Sequence, residues 1–243
     1  NLILFPGNDL PGVYGAGAVQ TLMNVYGVKP GKKVIMIGAG NVGLIVSYQL
    51  LQAGINVDRI IEAAPYIGGY HVHAAKLRRC GVPIKTSHTI KEVYGKDKVE
   101  GAKIIKLDNN WNEVSGSEED IKCDTICLAV GLTPSTRILS QMDVKMKYIN
   151  EAGGFIAIHD KNMQTSKKRV FVAGDSSGIE EASTAMVEGK ISGVMAGRSI
   201  GYKKGTEELL KEYKEELKRL RSGPFGEKPR IAKEKIQSMW RKK

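Results

Sequence analysis

The run Lys33-Val34-Ile35-Met36-Ile37 passes without a break into Gly38-Ala39-Gly40-Asn41-Val42-Gly43, and a helix-forming segment follows at once. An apolar strand feeding a G-x-G-x-x-G loop and then a helix is the context that a dinucleotide-binding fingerprint requires. It confines this part of the chain to the opening of a β-α-β unit. Gly38 is placed for the tight turn, Gly40 for close approach of backbone to a pyrophosphate, and Gly43 for close packing of helix on strand. The helix end would aim its free amides and positive dipole at the phosphates. The candidate contacts are Gly38, Ala39, Gly40, Asn41, Val42 and Gly43.

Downstream, Leu44–Ala53 carries apolar residues at helical spacing up to Gly54, and Asn56–Ile61 reads as a second strand ending at Glu62, 19 residues after Gly43. A carboxylate at that strand end can accept hydrogen bonds from the adenosine ribose while repelling the extra phosphate of NADP. Ala63-Ala64-Pro65 follows and offers no arginine to that phosphate. The expected nucleotide is therefore NAD(H).

A second short β-rich run, Arg169-Val170-Phe171-Val172-Ala173, closes with Gly174-Asp175 and precedes a helical stretch over about 179–200. Asp175 would sit at the carboxyl end of a strand, where open α/β sheets bind ligands. The residues also fit a plain turn or helix cap, with Ser176 and Ser177 as competing caps. The sequence pattern leaves both readings open.

These segments occur in a telling order. Phe5-Pro6-Gly7-Asn8-Asp9-Leu10-Pro11-Gly12-Val13 comes first, then the Gly38 fingerprint, then Ala129-Val130-Gly131-Leu132-Thr133-Pro134, then Val172-Ala173-Gly174-Asp175. The order resembles the two-dinucleotide (FAD/NAD) flavoprotein oxidoreductases of glutathione-reductase-like fold. The segment Asp175-Ser176-Ser177-Gly178-Ile179-Glu180-Glu181-Ala182 is similar to the alpha subunits of sarcosine-oxidase-like and proline- or hydroxyproline-dehydrogenase-like complexes. The resemblance implies that Gly174 and Asp175 meet FAD, with Asp175 on the ribityl chain, and that Gly131 borders the NAD pocket. It implies hydride transfer between NAD(H) and flavin, with no catalytic side chain and a partner dehydrogenase subunit.

The implied fold is α/β: a Rossmann-like three-layer FAD/NAD-binding fold with a parallel sheet, an antiparallel β-ribbon crossover and C-terminal helices. Residues 1–30 would connect from an FAD-type domain, 31–150 would form the NAD-binding domain, 151–202 would complete the FAD-type domain, and 203–243 would be a basic amphipathic helical tail. The family opens with another G-x-G-x-x-G unit for the ADP half of FAD, and these 243 residues contain none. The expectation is a chain lacking its N-terminal FAD-binding half, with an incomplete FAD site. A trimmed chain, a natural fragment and a first half supplied as a separate polypeptide all fit.

Between the two glycine motifs, a helix over 69–80, a short strand over 82–85 and strand-like runs at 89–94, 99–107 and 111–114 suggest a ribbon with one wet face, before the sheet resumes at Asp124. Cys80, Cys123 and Cys127 form no C-x-x-C pair, which removes the main support for a dithiol reductase. His71 and His73 fall on different faces of a helix, so no metal site is expected.

Net charge is +11, and residues 203–243 carry 14 Lys/Arg against 7 Asp/Glu. Leu210, Tyr213, Leu217 and Leu220 nevertheless repeat at helical spacing, a break follows over 222–226, and Pro229 opens a last helix with Ile236 and Trp240 on one side. That favours a docked amphipathic tail over a nucleic-acid arm, with an acidic partner protein or a polyanion as the sharper alternative. No apolar run reaches the roughly 20 residues of a membrane span and no signal-peptide pattern opens the chain, so a cytoplasmic location is expected; an oligomer is expected as a separate matter. The competing function is a non-catalytic NAD(H)-binding module.

Overall fold

The computed structural model describes residues 1–241; Lys242 and Lys243, the last two residues of the basic tail, lie outside the described residues. The chain divides into two compact units, Asn1–Gly131 and the residues from Leu132 onward.

The first unit runs β1 (Val13–Gly15), α1 (Ala16–Asn24), β2 (Lys33–Ile37), α2 (Asn41–Gln52), β3 (Asn56–Ile61), α3 (His71–Arg79), β4 (Ile84–Lys85), β5 (His88–Tyr94), β6 (Gly101–Lys106), β7 (Glu119–Ile121) and β8 (Thr125–Leu128). Its main sheet is parallel, in the order β1-β8-β2-β3-β4. The uninterrupted apolar run of β2 has a direct cause: the strand is covered on both faces. Val34 and Met36 pack with Leu44, Leu50, Ala74 and Leu77 of the helices. Ile35 and Ile37 point the other way, onto Ile90, Ala102, Ile104 and Ile121 of the antiparallel sheet β5-β6-β7. The unit therefore has three layers: helices, parallel sheet and antiparallel ribbon.

In this unit one strand differs from the sequence expectation. The third ribbon strand is Glu119–Ile121, paired with β6, and not residues 111–114. The Asp108 carboxylate accepts the Asn110 and Asn112 amides at 2.8 Å each and Trp111 takes a left-handed φ of 66°, so the chain turns where a strand was expected. The stretch expected to connect domains, residues 1–30, contributes β1 and α1, with Val13 paired to Ile126 at the edge of the parallel sheet.

The second unit contains α4 (Arg137–Gln141), β9 (Met146–Ile149), β10 (Gly154–Ala157), α5 (Ala182–Ser199), α6 (Thr206–Leu220) and α7 (Glu227–Arg241). Residue 150, the expected domain change, lies at the turn of the β9–β10 hairpin, where Ile149 pairs with Gly154. The tail helices are docked. Leu210 and Leu217 of α6 pack on Val187 and Ile191 of α5, and Ala232 and Ile236 of α7 pack on Ile149, Ile156 and Ile158. Ile236 is fully buried, while Leu220 stays exposed at the end of its helix.

The run Arg169–Ala173 forms no sheet strand. Arg169 adopts a left-handed φ of 65°, and the chain folds back so that the Thr165 amide donates to Val170 and the Val172 amide to Met163. A single antiparallel bridge, Gln164 to Phe171, results. Asp175 thus enters a 3-10 turn, Gly174–Ser177, from a hairpin and not from the end of a parallel strand.

Candidate functional site

The three fingerprint glycines separate by what surrounds them. Gly38 has φ +104°, and a Cβ there would overlap the carbonyl oxygen of Ala129, just past β8. A Cβ on Gly43 would overlap the carbonyl oxygen of Gly38 itself, so the first turn of α2 can rest on the loop only because Gly43 has no side chain. Gly40 differs from both: nothing lies within 4 Å of its Cβ position. The fold needs Gly38 and Gly43, whereas Gly40 keeps open a space that the protein itself does not fill.

Gly40 is also the N-cap of α2, and the first intrahelical hydrogen bond is from the Leu44 amide to the Gly40 carbonyl at 3.0 Å. The amides of Val42 and Gly43 precede that bond and lie at the positive end of the helix dipole, which bears no acidic side chain in its first turn. An anion with several oxygens fits this end by charge and by space.

Glu62, directly after β3, closes one side of the cradle. One carboxylate oxygen accepts the Ala39 amide at 2.7 Å and the other accepts the Ala64 amide at 3.0 Å. The loop Gly68–Tyr70 closes another side: the Gly69 amide donates to the Ala39 carbonyl at 2.9 Å and the Tyr70 amide to Asn41 Oδ1 at 2.8 Å. A Cβ on Gly69 would come within 2.6 Å of Leu44 and 2.9 Å of Gly40. The reading of the sequence missed this loop, although the Gly68-Gly69 pair signals it. Gly131, also at positive φ, lies past the carboxyl end of β8, the strand next to β2.

In the second unit, the Asp175 carboxylate is exposed and makes no hydrogen bond or ion pair within the described residues, while the turn carrying it is held firmly from inside. Glu188, in the second turn of α5 and 1% exposed, accepts the Gly174 amide at 2.9 Å and the Ser177 hydroxyl at 2.5 Å. Its other oxygen meets Arg221 at 2.6 Å and Lys233 at 2.7 Å. Burial acts to raise the Glu188 pKa, but the Lys233 and Arg221 charges and the hydrogen bonds outweigh it and hold the value at about 2. This cluster was not read from the sequence. Its signal is an acidic residue on the buried stripe Thr184, Val187, Glu188 and Ile191.

The two buried thiols are unsuited to exchange chemistry. Burial pushes both Cys123 and Cys127 up to about 12, with Asp124 adding to the effect at Cys123. Among the described residues no group of three or more His, Cys, Asp or Glu could hold a metal ion.

Residues 5–189 match the family described as pyridine nucleotide-disulphide oxidoreductase. The chain belongs to this family. Its members are oxidoreductases that use FAD and NAD(P)H. Among curated relatives, an opine oxidase subunit of Agrobacterium tumefaciens (strain Ach5) is 27% identical over 200 residues, covering 79% of this chain and 40% of that protein. The alpha subunit of sarcosine oxidase from Rhizobium meliloti (strain 1021) is 26% identical over 199 residues, covering 82% of this chain and 18% of that protein. The crystal structure of L-proline dehydrogenase from P. horikoshii superposes with a TM-score of 0.58 at 24% identity, covering 90% of this chain and 36% of that one, which supports the fold. The chain spans less than half the length of these relatives. Its resemblance to the sarcosine-oxidase and proline-dehydrogenase group, and its Rossmann-like α/β architecture, are as the motifs imply. No helix among the described residues is long and apolar enough to cross a membrane.

Proposed function

We propose that this chain is the NAD(H)-binding part, with a portion of the FAD site, of a flavin-dependent oxidoreductase, and that it works as a subunit or segment of a larger dehydrogenase. The observation that carries this reading is the contrast among the fingerprint glycines: Gly38 and Gly43 are locked by the fold, while Gly40 borders space left open at a helix N-terminus. In that space Gly40, Val42 and Gly43 would meet the pyrophosphate, with Ala39 and Asn41 shaping the loop. Glu62 would meet the ribose hydroxyls and disfavour a 2′-phosphate, making NAD(H) the nucleotide. Gly131 would border the nicotinamide end.

Asp175 would meet the ribityl chain of FAD, since its carboxylate is exposed on a turn whose Gly174 and Ser177 groups are bonded inward. When both are bound, nicotinamide and flavin exchange a hydride, and the protein supplies binding and orientation. The opine oxidase and sarcosine oxidase relatives are both named as subunits, which supports a partner polypeptide for this chain. In this reading residues 31–150 take the NAD role, and residues 1–30 and 151–202 belong to the FAD-type domain.

Two titrations on the natively purified protein test the proposal. Bound flavin that is bleached anaerobically by NADH supports it. Colourless protein that binds NADH with Gly40-dependent affinity would favour the second reading, a non-catalytic NAD(H) module, and protein binding neither cofactor would overturn both.

A further inference from the structure

Buried ions back the turn that presents Asp175, and one of them comes from α7, far along the chain. Lys233 of α7 is 8% exposed, and each of its three ammonium protons has an acceptor: the Ser177 carbonyl at 2.9 Å, the Ser177 hydroxyl oxygen at 2.8 Å and Glu188 at 2.7 Å. Lys233 and Ser177 are 56 residues apart in sequence. Ser177 has one proton to give, and its 2.5 Å contact to the Glu188 carboxylate is the stronger use of it than the 2.8 Å contact to the Gly174 carbonyl.

Arg221, at the end of α6, completes the arrangement. It makes a two-pronged bond to Glu180 at 2.8 and 2.6 Å and reaches Glu188 at 2.6 Å. Two carboxylates, Glu180 and Glu188, thus face two cations, Arg221 and Lys233. The set is neutral as a whole and its members are mutually satisfied, the condition under which buried charge is tolerated. Taking away one cation leaves an uncompensated carboxylate directly behind the Gly174 and Ser177 backbone, a large local effect at low dielectric.

We propose that Lys233 is a positioning residue for the flavin site: acting through Ser177 and Glu188, it fixes the Gly174–Ser177 turn that presents Asp175, so cofactor affinity depends on the C-terminal helix α7. The inference rests on the reading above that Asp175 contacts FAD. It gives the basic tail a role that its amphipathic pattern alone does not reveal. Among the described residues most of the tail's cations are exposed, but Lys233 and Arg221 face inward onto α5 and its preceding turn.

The test compares four forms of the full-length protein, together with any polypeptide that co-purifies with it: wild type, Asp175→Ala, Lys233→Met and Ser177→Ala. FAD dissociation constants are measured by quenching of flavin fluorescence, NADH dissociation constants are measured in parallel, and the unliganded melting temperature of each form is recorded. The expected result is an FAD affinity about tenfold weaker in Lys233→Met, as for loss of a hydrogen bond to a charged group, with NADH affinity unchanged. Ser177→Ala removes only the hydroxyl shared by Lys233 and Glu188 and should weaken FAD in the same direction. It serves as the deciding variant if Lys233→Met does not fold.

A double variant, Glu188→Gln with Lys233→Met, removes one charge of each sign and should recover part of the lost FAD affinity. If Lys233→Met and Ser177→Ala lower the melting temperature but leave FAD affinity at the wild-type value while Asp175→Ala weakens it, the tail is a structural brace only and the inference fails. If Asp175→Ala itself leaves FAD affinity unchanged, the failure belongs to the flavin-turn reading.

Discussion

The Ala39 amide donates to the Glu62 carboxylate at 2.7 Å, so the residue that would read the ribose also ties down the loop that would hold the pyrophosphate. Glu62 spends its second oxygen on Ala64, across the turn that leaves β3. Two strand ends are joined in this way by one side chain. A carboxylate retains lone pairs beyond these two bonds, so the same group can accept from a ribose hydroxyl without releasing the loop.

Glu62→Gln should separate the two jobs. The amide oxygen can still accept from Ala39, so the bond to the glycine loop survives while the bond from the Ala64 amide is lost, and the negative charge that disfavours a 2′-phosphate is gone. NADH binding should weaken only a few-fold, while the preference for NADH over NADPH should shrink by about tenfold, the scale of one lost charged hydrogen bond. Glu62→Ala should weaken both nucleotides by loosening the loop as well. Dissociation constants from quenching of protein fluorescence provide the check, and an unchanged NADH/NADPH ratio in Glu62→Gln would show that another residue reads the ribose.

Gly40→Val and Gly43→Val should fail in different ways. The Gly40 side chain would enter open space, so the variant should keep its melting temperature within a few degrees and lose NADH binding by steric overlap with the pyrophosphate. The Gly43 side chain would collide with the Gly38 carbonyl, lifting α2 off its strand. That variant should lose several kcal/mol of stability, as overpacked cores do, and express poorly. Thermal melts and NADH titrations of the two variants side by side make the comparison, and a stable Gly43→Val would contradict the close packing of α2 on its loop.

Much of the first unit was legible because its sequence and its packing obey the same periods. The buried run of β2, the helical spacing of α2 and the acidic end of β3 each state one local rule, and no long-range contact overrides it. The third ribbon strand was misplaced because Trp111–Val114 looks strand-like, whereas Asp108 turns that stretch through two amide bonds that no periodicity reveals. The run before Asp175 was misread for a related cause. Its β-rich composition was clear, but its pairing partner is the adjacent segment 163–165 and not a parallel strand. Arg221 and Lys233 were hidden for a third reason: in sequence they are ordinary cations of the basic tail, and only the docking of α6 and α7 turns them onto Glu188, whose place on the apolar stripe of α5 is the one signal of the set.

The thiols give a prediction that bears on the disulphide chemistry in the family's description. Cys123 and Cys127 are buried with thiols pushed to about 12, and Cys80 is exposed. A reactive dithiol needs a substantial thiolate fraction near neutral pH, and these two have almost none. Iodoacetamide at pH 8 on the folded protein should modify Cys80 alone, with Cys123 and Cys127 labelled only after denaturant is added. Peptide mass mapping resolves the three sites, and rapid labelling of Cys123 together with Cys127 would reopen the case for thiol exchange.

His159 should make the second unit acid-sensitive below about pH 6.5. It is fully buried, its Nδ1 faces the Asp160 carbonyl at 2.9 Å, and its Nε2 has no partner. Burial lowers its pKa from 6.5 to about 4, with the Lys233 charge acting in the same direction against weaker opposing effects from Asp160 and Glu188. Because the folded value lies below the unfolded one, the unfolded chain binds the proton first. Stability is therefore complete above about pH 6.5 and is lost as pH falls toward 4. A shift of this size corresponds to about 3 kcal/mol across that window. Glu188, held at about 2, adds its own loss only below its ordinary value near 4.5. His159→Asn keeps a donor for the Asp160 carbonyl but cannot titrate. Denaturant melts at pH 7, 6, 5 and 4.5 should show wild-type stability declining through the series, and a nearly flat series for His159→Asn. Parallel declines in the two proteins would place the acid sensitivity elsewhere in the fold.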